Sequence, residues 1–366
     1  MMKSFRQVWH RPKDQPNLTS NMVAAAEPAR NEFPDGVKIW HSPEDAELDI
    51  CFIHGLSGNR DKTWTAPGQP NPWPAELLPS RLAKARLLTY GYDAYVLKKS
   101  VSSTNRLIDH ANNLLHDLTA ERVSSDAINR PLVFIVHSFG GIICKTALII
   151  SRQSPESHLR QVYNDTKGIA FLGTPHRGSW AADWAKIPAW ALGQVKSTNR
   201  NILDVLQINN QYLEFIQTSF LSMIHDLLET GRPLQITCFF EELPMPGVGT
   251  IVSKESASLE GYSAFSIHAN HSDMVKFGSA SENGFKRLLG ELVRWDAMLG
   301  MGDSTVSPVA ELESDGKTPN VTPPLQTTTG HIFNVSGGTQ HNNTGAGNQF
   351  FGNFDGPVYF GLPSTK

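Results

Sequence analysis

The segment that most constrains the fold is residues 131–145, PLVFIVHSFGGIICK. An unbroken apolar run of strand length, rich in β-branched residues, carries no alternation and therefore has both faces buried, as in the middle of a parallel sheet. It ends in His137, Ser138, Phe139, Gly140 and Gly141, and helix-forming residues follow at once. A chain that passes from strand to helix over so few residues lifts Ser138 above the end of the sheet. It also aims the unpaired N–H groups of the new helix at any negative charge that develops there. Gly140 and Gly141, lacking a Cβ, let that helix pack close to the strand. This is the geometry of a nucleophile elbow. Val136 stands where elbows of the form G-x-S-x-G carry their first glycine. A β-branched residue there requires the neighbouring strand to leave space, or the bend is distorted.

The rest of the chain alternates in the same way. Strands are predicted over residues 37–40, 50–53, 85–90, 131–136, 168–172 and 234–240, and helices over 73–83, 106–122, 140–152 and 282–299. Strand–helix alternation with doubly buried strands implies the α/β class and a mostly parallel central sheet covered by helices on both faces. Together with the elbow, this points to the α/β-hydrolase fold over residues 35–299. A largely helical stretch, about 179–230, interrupts the alternation and reads as an inserted cap. Residues 1–34 read as a poorly ordered tail, 300–329 as a Ser-, Thr- and Pro-rich linker, and 330–366 as an Asn- and Gly-rich tail of the kind prone to β-assembly.

Composition excludes several classes. With 32 Lys and Arg against 35 Asp and Glu, the formal net charge of −3 argues against a surface built to wrap nucleic acid. Cys51, Cys144 and Cys238 are odd in number, far apart and set in apolar runs, which predicts buried thiols rather than a disulfide or metal framework. Neither a metal nor a cofactor is expected. No apolar run approaches the roughly 20 residues that span a bilayer, and the basic N-terminal stretch lacks the apolar core of a secretory signal. A cytoplasmic protein is expected, with peripheral membrane or mitochondrial placement as the alternative.

In this fold the acid and the histidine follow the nucleophile in the chain. The strand near 234–240 ends in Glu241-Glu242, and the loop near 267–274 offers His268, His271 and Asp273. Glu241 and His271 are the preferred partners of Ser138, the histidine as base and the glutamate as the group that orients it. Asp273 is the alternative acid and His268 the alternative base. The backbone N–H of Phe139 and that of Leu56, on the loop after the strand near 50–53, are the expected oxyanion donors. His54, at that strand's end, reads as structural. In FLGTPHRGS, His176 ends a strand and is read as either a pocket-rim contact or a structural residue. Trp180, Trp184, Ile187 and Trp190 then recur at helical spacing. They would face either an acyl chain or membrane surface, or the hydrolase core.

The ordered set of segments from Val37 to Tyr95, then HSFGG, FLGTPHRGS, FFEELPM, IVSKESA and NHSDM, resembles the lipase/esterase-like domains associated with fungal NOD-like receptors. These are in turn similar to the SERAC and GPI inositol-deacylase type of hydrolase. The resemblance covers roughly residues 37–299 and implies Ser138, Glu241 and His271 as a triad acting on an ester or lipid substrate. The stretch GGTQHNNTGAGNQ, residues 337–349, resembles the sigma type of short amyloid signalling motif. That resemblance implies self-assembly through the tail, a NOD-like receptor partner reached through residues 330–366, and an effector role in fungal innate immunity or heterokaryon incompatibility. The competing expectations are a non-catalytic signalling module on a hydrolase fold and, more distantly, a transacylase or peptidase using the same residues.

Overall fold

The computed structural model describes residues 35–56, 58–92, 103–177 and 210–302. The expected tails, the linker beyond residue 302, and Trp180, Trp184, Ile187 and Trp190 lie outside the described residues.

Among the described residues, seven strands form one sheet: β1 (Gly36–His41), β2 (Leu48–Ile53), β3 (Ala85–Gly91), β4 (Leu132–His137), β5 (Thr166–Leu172), β6 (Gln235–Glu241) and β7 (Ser263–Ile267). Their order is β1-β3-β2-β4-β5-β6-β7. Only β1 runs antiparallel, against β3, and the remaining pairings are parallel. The helices are α1 (Trp73–Leu77), α2 (Ser103–Ser124), α3 (Gly140–Gln153), α4 (Ser157–Asp165), α5 (Asn210–Glu229), α6 (Lys254–Ala257) and α7 (Asn283–Gly302). Every residue of β2, β3 and β4 is buried, as their unbroken apolar runs require. Two hydrophobic clusters cover the two faces of the sheet. One joins α2, α3 and α5 through Leu115, Ile143 and Phe220. The other joins α1 and α7 through Trp73, Phe285 and Trp295. A parallel sheet between two helical layers, with one antiparallel edge strand and a serine elbow after β4, is the α/β-hydrolase fold.

Two expectations change. The helix expected over 73–83 stops at Leu77: Leu78 still has helical backbone as the cap, but Pro79 has no N–H to continue the hydrogen-bond ladder. Residues 210–229, expected within a cap, form α5, whose Leu213, Ile216, Phe220, Met223 and Leu227 are buried in the core layer against α3. That half of the expected cap is a core helix, and the other half lies outside the described residues. β7 and α4 carry no clear signal in the sequence. β7 is a short edge strand of mostly half-buried residues, and α4 presents only Leu159 and Val162 as buried apolar side chains.

At the end of the sheet where the strands begin lies a buried ionic network. Asp49 on β2 is fully buried and accepts from Arg86 Nε and Nη2 at 2.9 and 2.8 Å, and from Arg130 Nη1 at 3.1 Å. Arg122 bridges Asp49 and Asp165 at 2.5 and 2.8 Å. No sequence periodicity announces such a cluster, because its members come from β2, β3, α2 and α4 and from the turn before β4.

Candidate active site

Ser138 sits on the tight bend between β4 and α3 with φ +57°, a left-handed conformation that a non-glycine residue adopts only when its surroundings impose it. They do so from three sides. The Ser138 N–H donates to the Leu172 carbonyl at 2.9 Å, and the Thr174 hydroxyl donates to the Ser138 carbonyl at 3.0 Å. At Gly140 any Cβ would lie 2.4 Å from the His54 carbonyl oxygen, so only glycine lets α3 start this close to the end of β2. Val136 is accommodated: its side chain is buried in the core cluster beside Ile53 and Phe171, and the bend keeps its left-handed form.

The structure brings Ser138, His271 and Glu241 together. His271 Nε2 lies 3.0 Å from Ser138 Oγ, and His271 Nδ1 lies 2.6 Å from Glu241 Oε2. All three residues are at most 5% exposed. Glu241 ends β6 with its side chain turned inward, and its other oxygen accepts the N–H groups of Ile251 and Val252. These donors fix the direction of the side chain. His271 follows β7, and Gly173, at φ +59°, leaves the room it needs: a Cβ there would fall 2.9 Å from His271 Cε1.

The alternatives separate from this group. Glu242 turns away and pairs with exposed His268 at 2.8 Å. Both line an open cavity of about 520 Å³, with Lys276, Glu282 and Arg287 on its walls, that does not include Ser138. Asp273 pairs with Lys276 at 3.1 Å and accepts from Asn270. Leu56 and Phe139 are both buried, and among the described residues neither backbone N–H has an acceptor. His54 is fully buried, stacks on Tyr92 with ring centroids 4.3 Å apart, and accepts the Tyr92 N–H at Nε2. Burial holds its pKa down at about 4, so it stays neutral and structural, as expected.

His176 is not at the rim of a pocket. It is buried, with Nδ1 2.8 Å from Lys145 Nζ and its ring edge-on to Phe171. Burial, helped by the Lys145 charge, drives its pKa well below the ordinary value, so Nδ1 accepts from the amine. Lys145 on α3 is fully buried and also donates to Gln217 at 2.7 Å. Burial lowers its pKa to about 7 from 10.5. Between those values the unfolded chain binds a proton that the folded one does not, so stability increases as the pH is raised. Relative to Lys145→Met, the wild type is expected to gain about 1.4 kcal/mol per pH unit inside that window. Denaturant titrations of both proteins from neutral to alkaline pH check this; a difference that does not change with pH contradicts it.

For metals, the ligand atoms of His225, Asp226 and Glu229 on α5 lie within 4.8 Å of one another. Asp226 is already paired with Arg152 at 2.6 Å, and His225 Nδ1 lies 3.5 Å from Glu229 on the helix surface. Cys51, Cys144 and Cys238 are all buried as free thiols. Among the described residues no helix is long and apolar enough to cross a membrane.

Residues 325–361 match the family model described as the sigma domain on NACHT-NTPases. This interval contains the Gly-, Asn- and Gln-rich stretch at 337–349 and lies outside the described residues. The chain is 25% identical over 280 residues to human protein SERAC1, covering 68% of this chain and 40% of that protein. It is 24% identical over 276 residues to bovine protein SERAC1, covering 67% and 39%. It thus spans about two fifths of the length of these curated relatives. Among solved structures, it is similar to a Bacillus licheniformis lipase (15% identity, TM-score 0.42, covering 69% of this chain and 95% of that one). It is also similar to esterase B from Lactobacillus Rhamnosis (12% identity, TM-score 0.39, covering 72% and 80%). The chain is an α/β-hydrolase-fold protein homologous to SERAC1, with a sigma-like segment near its C-terminal end.

Proposed function

We propose that the chain is a serine carboxylic-ester hydrolase in which Ser138, His271 and Glu241 form the catalytic triad. The observation that carries this reading is the continuous hydrogen-bonded line from Ser138 Oγ through the His271 ring to Glu241, 3.0 Å on one side and 2.6 Å on the other. In the first step Ser138 Oγ bonds to the acyl carbon while its proton passes to His271 Nε2. The carbonyl π electrons move to oxygen, and the N–H groups of Leu56 and Phe139, which have no acceptor among the described residues, would receive that oxyanion. Collapse of the adduct breaks the ester C–O bond, and His271 returns the proton to the departing alkoxide. Water then repeats the sequence on the acyl-serine and releases the acid. Glu241 holds Nδ1 protonated and stabilises the imidazolium in both halves.

The substrate class we assign is a carboxylic ester, lipid esters included, with Trp180 and Trp184 as residues that would meet an acyl chain. The sigma-like match supports a further part of the proposal. The tail, residues 330–366, would link the hydrolase to a NACHT-bearing receptor by matched self-assembly, making it an effector in fungal immune or incompatibility signalling. Stacked Asn and Gln side chains supply the hydrogen-bonded ladders that such assembly needs.

The test is exposure of the full chain to a fluorophosphonate, with mass spectrometry to locate the adduct, alongside a p-nitrophenyl ester series from short to long acyl chains. An adduct on Ser138 and turnover of at least one ester are expected. No label and no turnover across the series would leave the alternative of a non-catalytic signalling module on this fold.

A further inference from the structure

His137, immediately before Ser138, takes no part in the proton path, yet it is bonded to the residue that does. It is 7% exposed, its Nε2 lies 3.0 Å from the backbone carbonyl oxygen of His271, and its ring centroid lies 4.9 Å from that of His271 at an interplanar angle of 39°. A carbonyl oxygen only accepts, so His137 carries its hydrogen on Nε2 and leaves a bare lone pair on Nδ1. That Nδ1 is buried and has no partner among the described residues. Burial pushes the ring's pKa well below the ordinary value, so it remains neutral. A buried nitrogen without a partner is costly, and a phenylalanine or leucine would fill the space without that cost.

We infer that His137 is the positioning residue for the general base, its Nε2–H holding the His271 main chain at a set distance from Ser138; this rests on the reading of Ser138 and His271 as nucleophile and base. The mechanical reason is in the topology. His271 lies beyond the edge strand β7, on a segment without regular structure of its own, whereas Ser138 rides on central β4. Glu241 and Ser138 engage the two ring nitrogens, whereas the bond from His137 holds the main chain that carries the ring. Because it comes from the residue next to Ser138, one rigid strand carries both the nucleophile and the brace of its base. Reacting groups held this closely lose about 10²-fold in rate for a misplacement of about 1 Å.

The experiment measures labelling of the full chain by a fluorophosphonate, separating the maximal rate constant from the reagent's half-saturation concentration. Wild type, His137→Leu, His137→Phe and His137→Gln are compared after thermal melting of each. Glutamine places an amide N–H near the position of the imidazole Nε2, whereas phenylalanine keeps a ring without a donor. Expected are a maximal rate down by about 10- to 100-fold in the Leu and Phe variants with half-saturation within about two-fold, and most of the wild-type rate retained in the Gln variant. If His137→Leu does not fold, the Phe and Gln variants decide alone. Wild-type rates in the donor-less variants, or a Gln variant as slow as the Phe variant, overturn the inference. A wild type that never labels overturns the hydrolase reading itself, and the inference with it.

Discussion

Ser138→Ala is expected to abolish fluorophosphonate labelling and to lower ester turnover by a factor on the order of 10⁴ or more. The size follows from what the hydroxyl does: without Oγ no acyl-serine forms, and His271 and Glu241 have no nucleophile to activate. What survives is the contribution of the oxyanion donors and of substrate binding, on the order of 10³ over water for enzymes of this design. Ser138→Gly is expected to be equally inactive but more stable, by about 1 kcal/mol, because glycine meets no steric penalty at φ +57°. Gained stability with lost activity is the signature of a bend held under strain for function. If Ser138→Ala retains turnover within about ten-fold, covalent catalysis by Ser138 is wrong. If it loses turnover but leaves a tail-dependent cellular output intact, the hydrolase and the signalling function are separable.

Asp49→Asn is expected to destabilise the fold by about 3–5 kcal/mol, with a melting temperature lower by on the order of 10 °C. Asp49 accepts from Arg86, Arg122 and Arg130, and Asp165 and Glu121 complete a set of three carboxylates against three guanidinium groups. Arg86 and Arg122 are almost fully buried, so removing the central carboxylate leaves cations that water cannot reach. Asn preserves shape and some hydrogen bonding, so the loss reports the charge. The network sits where β2, β3 and β4 begin, with Asp49 in register with Arg86 and Leu132, while Ser138 follows the other end of β4. The folded variant should therefore keep the wild-type labelling rate at Ser138. An unchanged melting temperature in circular dichroism would show that the remaining partners balance one another without Asp49.

The central strands were legible in the sequence because burial on both faces forces unbroken apolar runs, and β2, β3, β4, β5 and β6 lie within two residues of their expected bounds. The elbow was legible because a strand, a serine, two glycines and a helix in immediate succession leave the backbone few alternatives. β7 was not: an edge strand with one partner and half-buried side chains needs no apolar run. Nor was α5 recognised as a core helix, since an amphipathic helix reads the same whether its apolar face meets a cap or a sheet. A histidine just after a strand end suits either a pocket rim or a structural role, and only the packing of α3 and α5, which sets Lys145 and Gln217 beside it, decides for the second.

By itself, then, the sequence determined the class of fold, the position of the bend and the short list of groups able to serve it, because backbone propensity and burial pattern are local properties. Only the tertiary structure decided which members of that list meet. Adjacent Glu241 and Glu242 are chemically alike, and the strand pleat points them to opposite faces. The pairing of Glu241 with Ile267 on β7 then sets the inward one beside His271, residues that no spacing along the chain brings within reach. The same holds for His137 and His271, 134 positions apart, and for Asp49 among its arginines. Hydrogen bonds and ion pairs act over a few ångströms of space, and the chain's order does not record them.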